Sequence, residues 1–276
     1  MTLVSFNDYS FSYSVGSDAA LTGINLAIEE REGVVVSGLS GSGKSTLCLA
    51  AAGLLASFPA GKSSGEISWC KDGSEGRSVT SVVLQNFYSQ ISYLRSSVIE
   101  EIAFPCENLG LSREETARRV EEAIGKIRIG HLAYRKPLEL SGGEKQKVVL
   151  AAAIAVKPRL LILDEPLSQL DPETTFYLAD VLKALKGEMS VLVAENNPYL
   201  TLKVADRLVI LSEGKVIADG RPADVIDSHT VGHIELPAWT ECVAGGIREG
   251  SVQHYEAASP FELNYRRALS ILRGHV

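Results

Sequence analysis

A glycine-rich loop is the segment of this chain whose residue types and spacing carry the clearest chemical meaning. Residues 38–46 read GLSGSGKST and lie between an apolar segment at 34–36 and a longer apolar segment at 47–55. The order of strand, glycine-rich loop and helix is the context in which such a loop binds phosphate. Its glycines let several backbone N–H groups point into one concavity, and the N-terminus of the following helix favours an anion. The loop therefore predicts a nucleotide phosphate site.

Side chains of this phosphate loop (residues 38–46) can contact the nucleotide directly. The Lys44 ammonium can reach the β- and γ-phosphates, and the Ser45 hydroxyl can ligate Mg²⁺. A glycine-rich turn without a ligand is the alternative, but spacing and flanking elements both match a phosphate loop. The predicted nucleotide-binding residues in the loop are Ser40, Gly41, Ser42, Gly43, Lys44, Ser45 and Thr46.

Two carboxylates follow a predicted buried strand further along the chain. Residues 160–163 form a continuous apolar run, typical of a parallel strand buried on both faces, and Asp164 and Glu165 come next. A carboxylate at the end of such a strand, beside a phosphate loop, usually holds the nucleotide Mg²⁺, so we assign that role to Asp164. Because consecutive strand residues face opposite ways, Glu165 could instead polarise the attacking water. Two solvated acids in a turn are the alternative.

A second glycine-containing helix start precedes these carboxylates. Ser141 can cap a helix, and Gly142 and Gly143 open the backbone behind it, which makes a second anion-binding helix terminus. Taken alone, this segment would indicate little. In this order along the chain, the motifs closely resemble the nucleotide-binding subunits of the ATP-binding cassette (ABC) family, over about residues 1–220.

The resemblance implies an ATPase with ATP and Mg²⁺ as its cofactors. It also implies an α/β fold of the P-loop NTPase type, with a mostly parallel sheet core, an antiparallel β region and a helical subdomain at about 86–157. The alternation of predicted strands and helices independently favours an α/β fold. Residues 221–276 would form a C-terminal extension, which ends in an amphipathic helix that begins with a capping box at Ser259.

Two further residues take nucleotide-binding roles from the resemblance. Tyr13 is similar to the aromatic residue that stacks on adenine, with Tyr9 and Phe11 as nearby alternatives. Gln85 resembles the glutamine that touches Mg²⁺ and links the nucleotide to the membrane partner.

The family's dimer contacts also have counterparts here. Ser168 and Asp171 resemble residues of the loop that crosses the dimer interface. In this family two subunits meet head to tail, and each ATP lies between the phosphate loop of one subunit and the signature segment of the other. In this chain the signature segment is residues 141–144, which are Ser141, Gly142, Gly143 and Glu144.

One residue departs from the family pattern. The family usually places a histidine just after the strand at 191–194, and this chain has Asn196 there. An amide can donate a hydrogen bond to the γ-phosphate, but it cannot carry a positive charge or shuttle a proton. His229 and His233 lie too far along the chain to fill this place by a simple shift. Asn196 therefore predicts slow hydrolysis at this chain's own site, unless the amide substitutes adequately.

Within the family, the segment around Gln85 is similar to the ATPases of energy-coupling factor transporters, which import vitamins or transition-metal ions. The second glutamine, Gln90, fits that branch, whereas Phe87 stands where proline is common. The implied partners are transmembrane transporter subunits and a second ABC ATPase, in a homodimer or a heterodimer. The aromatic and apolar residues Phe87, Tyr88, Tyr93 and Leu94 could line a groove for a partner helix or pack inside the helical subdomain.

Composition limits the other functional classes. The 276 residues carry 27 basic and 34 acidic side chains, a net charge of −7, so we expect no nucleic-acid binding. The four cysteines are scattered, which favours reduced thiols. The N-terminus lacks the pattern of a signal peptide, and the apolar runs at 47–56 and 148–156 are too short to span a bilayer. Any membrane role must therefore come through a partner, and the resemblance implies a peripheral protein at the cytoplasmic face of the membrane.

Overall fold

The computed structural model describes residues 1–14, 16, 18–70, 80–167, 170–196, 201–226 and 230–235. The strands are β1 (Thr2–Ser12), β2 (Leu21–Glu29), β3 (Gly33–Ser37), β4 (Lys62–Trp69), β5 (Thr80–Val83), β6 (Leu160–Asp164), β7 (Ser190–Glu195), β8 (Arg207–Ser212) and β9 (Lys215–Gly220). The α-helices are α1 (Lys44–Ala51), α2 (Val98–Asn108), α3 (Arg113–Ile127), α4 (Gly142–Ala155), α5 (Pro172–Leu185) and α6 (Pro222–Val225).

The central sheet has six strands in the order β5-β6-β7-β3-β8-β9. Its first five strands pair in parallel, and β9 closes the far edge as an antiparallel hairpin with β8. A separate antiparallel sheet has the order β2-β1-β4. The mostly parallel core with an antiparallel β region is therefore confirmed.

The central sheet is covered on both faces, which explains the uninterrupted apolar runs of its inner strands. Successive β6 side chains alternate between two apolar clusters. Leu161 and Leu163 face the side packed by α2–α5, while Leu160 and Ile162 face α1 and the antiparallel sheet. Every residue of β6 and β7 is buried, as expected for central strands of a parallel sheet with helices on its faces.

Helices α2, α3 and α4 pack against one another beside the β5 edge. At the start of α3, Ser112 and Glu115 have the spacing of a capping box, which forms only in part. Ser112 accepts a hydrogen bond from the Glu115 N–H at 3.2 Å, but the Glu115 carboxylate is paired with Arg118 and Arg119 instead of closing the box. The arginines on the next helical turn compete with the Ser112 backbone for the same carboxylate.

The apolar segment after the phosphate loop is helical only in part. Helix α1 ends at Ala51, although the apolar segment runs to residue 55, because the chain turns at Gly53, whose φ is +73°. Among the described residues, no helix is both long and apolar enough to cross a lipid bilayer.

The thiols Cys48, Cys70 and Cys106 are free, as predicted. Cys242 and the predicted C-terminal amphipathic helix after Ser259 lie outside the described residues.

Candidate active site

The phosphate loop joins β3 to α1 and needs glycine at the position directly before the helix. Gly43 has a φ of +106°, and a Cβ there would lie 2.6 Å from the Ala20 carbonyl oxygen. Gly43 is also the N-cap of α1, and no side chain caps this helix. The first N–H groups of α1 are therefore left for a bound anion.

Lys44 lies inside the loop that precedes it. Its ammonium donates hydrogen bonds to the carbonyl oxygens of Gly38 at 2.8 Å and Leu39 at 3.0 Å. Burial lowers the pKa of Lys44, and the carboxylates of Glu165 and Asp164 counteract that fall. The loop thus holds the ammonium in the concavity where the sequence predicts phosphate.

The other predicted loop residues surround this lysine. Ser42 is buried, and its carbonyl oxygen accepts a hydrogen bond from the Gly214 N–H at 3.0 Å. Ser40, Gly41 and Ser45 are exposed. The exposed hydroxyls and backbone of the loop are accessible to a ligand, while its inner side is fixed to the β8–β9 turn.

Asp164 has the features of a metal ligand. It ends β6, is 3% exposed, and its Oδ1 has no hydrogen-bond partner among the described residues. Burial raises the pKa of Asp164, and a hydrogen bond with Ser45 counteracts the rise. A buried carboxylate oxygen without a partner, next to a serine hydroxyl, fits Mg²⁺ bound by Asp164 and Ser45, because Mg²⁺ prefers oxygen ligands.

Glu165, the residue after Asp164, has a left-handed backbone with a φ of +50°. Its N–H is held by the Ala194 carbonyl oxygen at 2.9 Å. Gln85 Nε2 donates a hydrogen bond to Glu165 Oε2 at 2.6 Å, so the fold brings together two predicted site residues that lie far apart in sequence. A non-glycine residue in this conformation costs about 1–3 kcal/mol and commonly marks a functional site.

Asn196 follows β7, two residues after Ala194, whose carbonyl oxygen holds the Glu165 N–H. Asn196 Oδ1 is buried and has no hydrogen-bond partner among the described residues. The Asn196 carbonyl oxygen accepts hydrogen bonds from the Ser37 hydroxyl at 3.3 Å and from the Glu235 N–H at 3.2 Å. The chain therefore returns to this edge of the sheet at residue 235, which sequence distance alone did not suggest.

Glu195 is a buried residue of this edge that the sequence interpretation did not single out. Burial raises the pKa of Glu195 to about 8, and the neighbouring carboxylates of Glu165 and Asp164 add to the rise. Its Oε1 accepts a hydrogen bond from the Leu167 N–H at 3.1 Å. The signal was available, because Glu195 follows an apolar strand as Asp164 does, and β6 and β7 are adjacent parallel strands.

The signature segment forms the start of α4 with a complete capping box. The Ser141 hydroxyl accepts a hydrogen bond from the Glu144 N–H at 3.4 Å, and Glu144 Oε2 accepts one from the Ser141 N–H at 2.7 Å. Gln146 donates a hydrogen bond to the Pro166 carbonyl oxygen at 2.7 Å, which ties α4 to the loop after Glu165. Within the described chain, the signature segment makes no hydrogen bond to the phosphate loop.

Among the aromatic candidates near the loop, only Tyr13 is well exposed. Tyr13 is 38% exposed, whereas Tyr9 and Phe11 are buried. Its hydroxyl lies 3.1 Å from the Thr46 hydroxyl, and its ring makes edge contacts with Phe11 and Phe58. Tyr13 is thus attached to the first turn of α1.

Of the two residues predicted in the loop at the dimer interface, the structure describes only Asp171. Ser168 lies outside the described residues. Asp171 is the N-cap of α5, where its side chain accepts a hydrogen bond from the Thr174 N–H at 3.0 Å. Of the four residues suggested to line a groove for a partner helix, Phe87 is buried, whereas Tyr88, Tyr93 and Leu94 are exposed.

Comparisons with known proteins agree with this geometry. The family model described as "ABC transporter" matches residues 21–168. A putative ABC transporter ATP-binding protein of Pyrococcus horikoshii is 36% identical over 251 residues, which cover 86% of this chain and 87% of the relative. The energy-coupling factor transporter ATP-binding protein EcfA of Methanothermobacter thermautotrophicus is 36% identical over 229 residues, which cover 81% and 72%.

Solved structures give the same result. CbiO1 of Clostridium perfringens, described as part of the ABC transporter complex cbiONQ, superposes with a TM-score of 0.68 at 28% identity and covers 81% of this chain and 90% of its own. A dimeric post-hydrolysis ATP-binding cassette bound to ADP and Pi gives a TM-score of 0.67 at 26% identity, with coverages of 79% and 98%. With the phosphate loop, Asp164, Glu165 and the signature segment in one fold, this chain belongs to the ABC transporter family of ATP-binding proteins.

Proposed function

We propose that this ABC ATPase is the energy-supplying subunit of an energy-coupling factor transporter, which imports a vitamin or a transition-metal ion. The observation that carries the ATPase part is the contact between Gln85 and Glu165, next to the unpartnered Asp164 oxygen. The branch is supported by the EcfA relative and by the CbiO1 structure.

In this proposal, the phosphate loop binds ATP. Its backbone N–H groups and the α1 N-terminus bind the phosphates, and Lys44 turns from the loop carbonyls to the β- and γ-phosphates. Tyr13 would stack on adenine. Mg²⁺ would be held by Ser45, Asp164 and Gln85, and it would neutralise charge that develops on the phosphates.

Glu165 would then orient and polarise the attacking water. Gln85 holds the Glu165 carboxylate through one hydrogen bond. Asn196 would donate a hydrogen bond from its amide to the γ-phosphate. These roles separate the residues that bind the nucleotide from those that act on the water.

The signature segment would complete the site of a second subunit. Among the described residues its helix start makes no hydrogen bond to the phosphate loop of its own chain, so Ser141, Gly142 and Gly143 would bind the γ-phosphate held by a neighbour. Asp171 and Ser168 would lie at the same interface. The proposed assembly is a pair of ATPase subunits on transmembrane subunits, at the cytoplasmic face of the membrane.

Trapping the ATP-bound pair tests the ATPase mechanism. Glu165→Gln should slow hydrolysis by about 10²–10⁴-fold, since it removes the general base. With Mg²⁺ and ATP, the full-length variant should form dimers in light scattering, alone or with an ATPase that co-purifies with it. Glu165→Gln combined with Lys44→Ala is the control and should remain monomeric. A Glu165→Gln variant that binds ATP but never pairs would contradict the proposed dimer.

Co-purification tests the transporter branch. The full-length chain, isolated from membranes in mild detergent, should carry a transmembrane scaffold subunit and a separate substrate-binding membrane protein, both identifiable by mass spectrometry. A transmembrane partner that itself binds the substrate would assign the chain to another transporter class.

Asn196 supports a second candidate function, a weakly hydrolysing partner in a heterodimer. Its amide cannot provide the charge or the proton transfer of the usual histidine. Asn196→His should raise the turnover of the assembled dimer if this site is the slow one. An unchanged turnover would favour the equal-subunit alternative.

A further inference from the structure

The short turn after β5 contains a glutamine, Gln90, whose side-chain amide hydrogen-bonds to the backbone at the end of β5 as a neighbouring strand would. Gln90 Oε1 accepts a hydrogen bond from the Leu84 N–H at 2.7 Å, and Gln90 Nε2 donates one to the Val82 carbonyl oxygen at 2.9 Å. Among the described residues, β5 is the outer strand of the six-stranded sheet, and no strand lies on its outer side. The Gln90 amide thus binds one donor and one acceptor of the backbone as β5 ends.

The atoms that Gln90 holds are adjacent to Gln85. Leu84 immediately precedes Gln85, whose Nε2 contacts Glu165 Oε2 at 2.6 Å. The Gln85 side chain is exposed, so packing does not hold it in place. Its direction is therefore set by the backbone from which it leaves, and Gln90 fixes that backbone.

The turn that carries Gln90 is itself anchored on its other side. Phe87 is 1% exposed and stacks on Tyr88 with ring centroids 4.4 Å apart. The Tyr88 hydroxyl lies 2.6 Å from where a Cβ on Gly142 would be, so the turn packs directly against the start of α4. A fixed turn allows the Gln90 amide to act as a rigid clamp.

We propose that Gln90 is a positioning residue for hydrolysis, which acts through Gln85 on Glu165 and does not touch the nucleotide. This inference rests on the proposed ATPase function. A shift of about 1 Å in a catalytic group can lower the rate of a reaction by up to about 10²-fold, so a lost clamp should lower turnover and leave ATP binding intact.

The test uses Gln90→Met, which keeps the length of the side chain but removes both hydrogen bonds. We expect kcat to fall about tenfold in the full-length protein and in its complex, with the affinity for ATP unchanged. Ser89→Ala is the matched control, because it removes a side-chain hydrogen bond to Asn86 O in the same turn without reaching β5. It should leave kcat unchanged.

A double-mutant cycle separates positioning from a general structural effect. If Gln90 acts through Gln85, then Gln85→Ala with Gln90→Met is no slower than Gln85→Ala alone. If the loss of kcat in the double variant equals the product of the losses in the two single variants, the proposal is overturned. An unchanged kcat in Gln90→Met would also overturn it.

Two further measurements keep the result interpretable. If Gln90→Met fails to fold in thermal unfolding, Gln90→Glu tests the same point, since it keeps the acceptor for Leu84 and loses the donor to Val82. A lower kcat at wild-type ATP affinity supports the proposal, and a wild-type kcat overturns it. A wild-type protein without ATP turnover would contradict the proposed function itself, whereas active wild type with normal Gln90 variants removes only this inference.

Discussion

The phosphate loop before α1 and the signature segment before α4 are both helix N-termini with glycines, yet they are constructed differently. At α1 no side chain caps the helix, and the buried Lys44 satisfies its charge on carbonyl oxygens of its own loop. At α4 Ser141 and Glu144 cap the helix reciprocally, and the cap is exposed.

This difference indicates which site is complete in one chain. The α1 terminus has uncapped N–H groups and an ammonium held by its own loop, so it can bind an anion alone. At the α4 terminus, as far as the structure describes it, the nearby cations are occupied, because Arg135 is paired with Glu144 and Lys145 lies over the rings of Tyr88 and Tyr93. We infer that it acts only when a second subunit brings the anion.

The largest expected effect is on the pH dependence of stability, where the buried Glu195 and the capping Glu144 should behave in opposite ways. The pKa of Glu195 is raised to about 8 by burial, so the folded chain keeps this proton longer than the unfolded chain. Between pH 4.5 and about 8 the free energy of unfolding should fall by several kcal/mol, at most about 5 kcal/mol. Glu195→Gln should remove this fall, which urea unfolding at pH 5 and pH 9 can measure.

Glu144, in the cap of α4, provides the comparison for that experiment. The hydrogen bond from the Ser141 backbone lowers the pKa of Glu144. Its contribution is therefore present above the ordinary carboxyl pKa and is lost as the pH falls through the lowered value. Glu144→Gln should reduce the pH dependence on the acidic side only. The same pH dependence in both variants would contradict the contrast between the buried Glu195 and the capping Glu144.

The next largest difference is expected in ATP binding, between substitutions of the lysines near the two helix starts. Lys44→Ala should weaken ATP binding about 100-fold, because it removes charge-assisted hydrogen bonds worth about 3 kcal/mol. Lys145→Ala should leave ATP binding by the isolated chain unchanged. Calorimetric titration with Mg-ATP measures both, and equal losses would mean that the termini are not distinct.

Glycine substitutions sharpen the comparison inside the phosphate loop. Gly43→Ala should cost about 1–3 kcal/mol of stability, because of its left-handed φ and the approach to Ala20. Gly41→Ala is the control, since Gly41 also has a positive φ but no atom within 4 Å of a new Cβ. We expect about 1 kcal/mol there. Thermal unfolding that showed the reverse order would contradict the packing argument.

The smallest expected effect is the loss of the α4 cap. Ser141→Ala should lower stability by about 1 kcal/mol and leave ATP binding by the isolated chain unchanged. Thermal unfolding and titration of the same preparation check both points. Weaker ATP binding in that variant would show that α4 contributes to the chain's own site.

Much of the site could be predicted from local patterns. The phosphate loop and the Asp164–Glu165 pair each combine a buried apolar strand with a polar end, and parallel strands bring such ends to one edge. Glu195 has the same pattern and could have been predicted from it. The reciprocal cap at Ser141 and the N-cap at Asp171 also follow from residues three positions apart.

Other features depend on contacts between distant segments. The Ser112 box had the correct spacing, but the neighbouring arginines bind its glutamate. The contact of residue 235 with Asn196 depends on the path of the chain after α6. Spacing along the sequence carries no information about such returns.

The sequence by itself determined the loop that binds phosphate, the buried strands that end in carboxylates and the helix caps, because each depends on residues within a few positions. Only the tertiary structure decided that Gln85 meets Glu165, that Gln90 holds the end of β5, and that Glu195 stays buried beside two other acids. Those contacts join residues from separate strands and turns, and packing of the whole sheet determines which of them come within hydrogen-bonding distance.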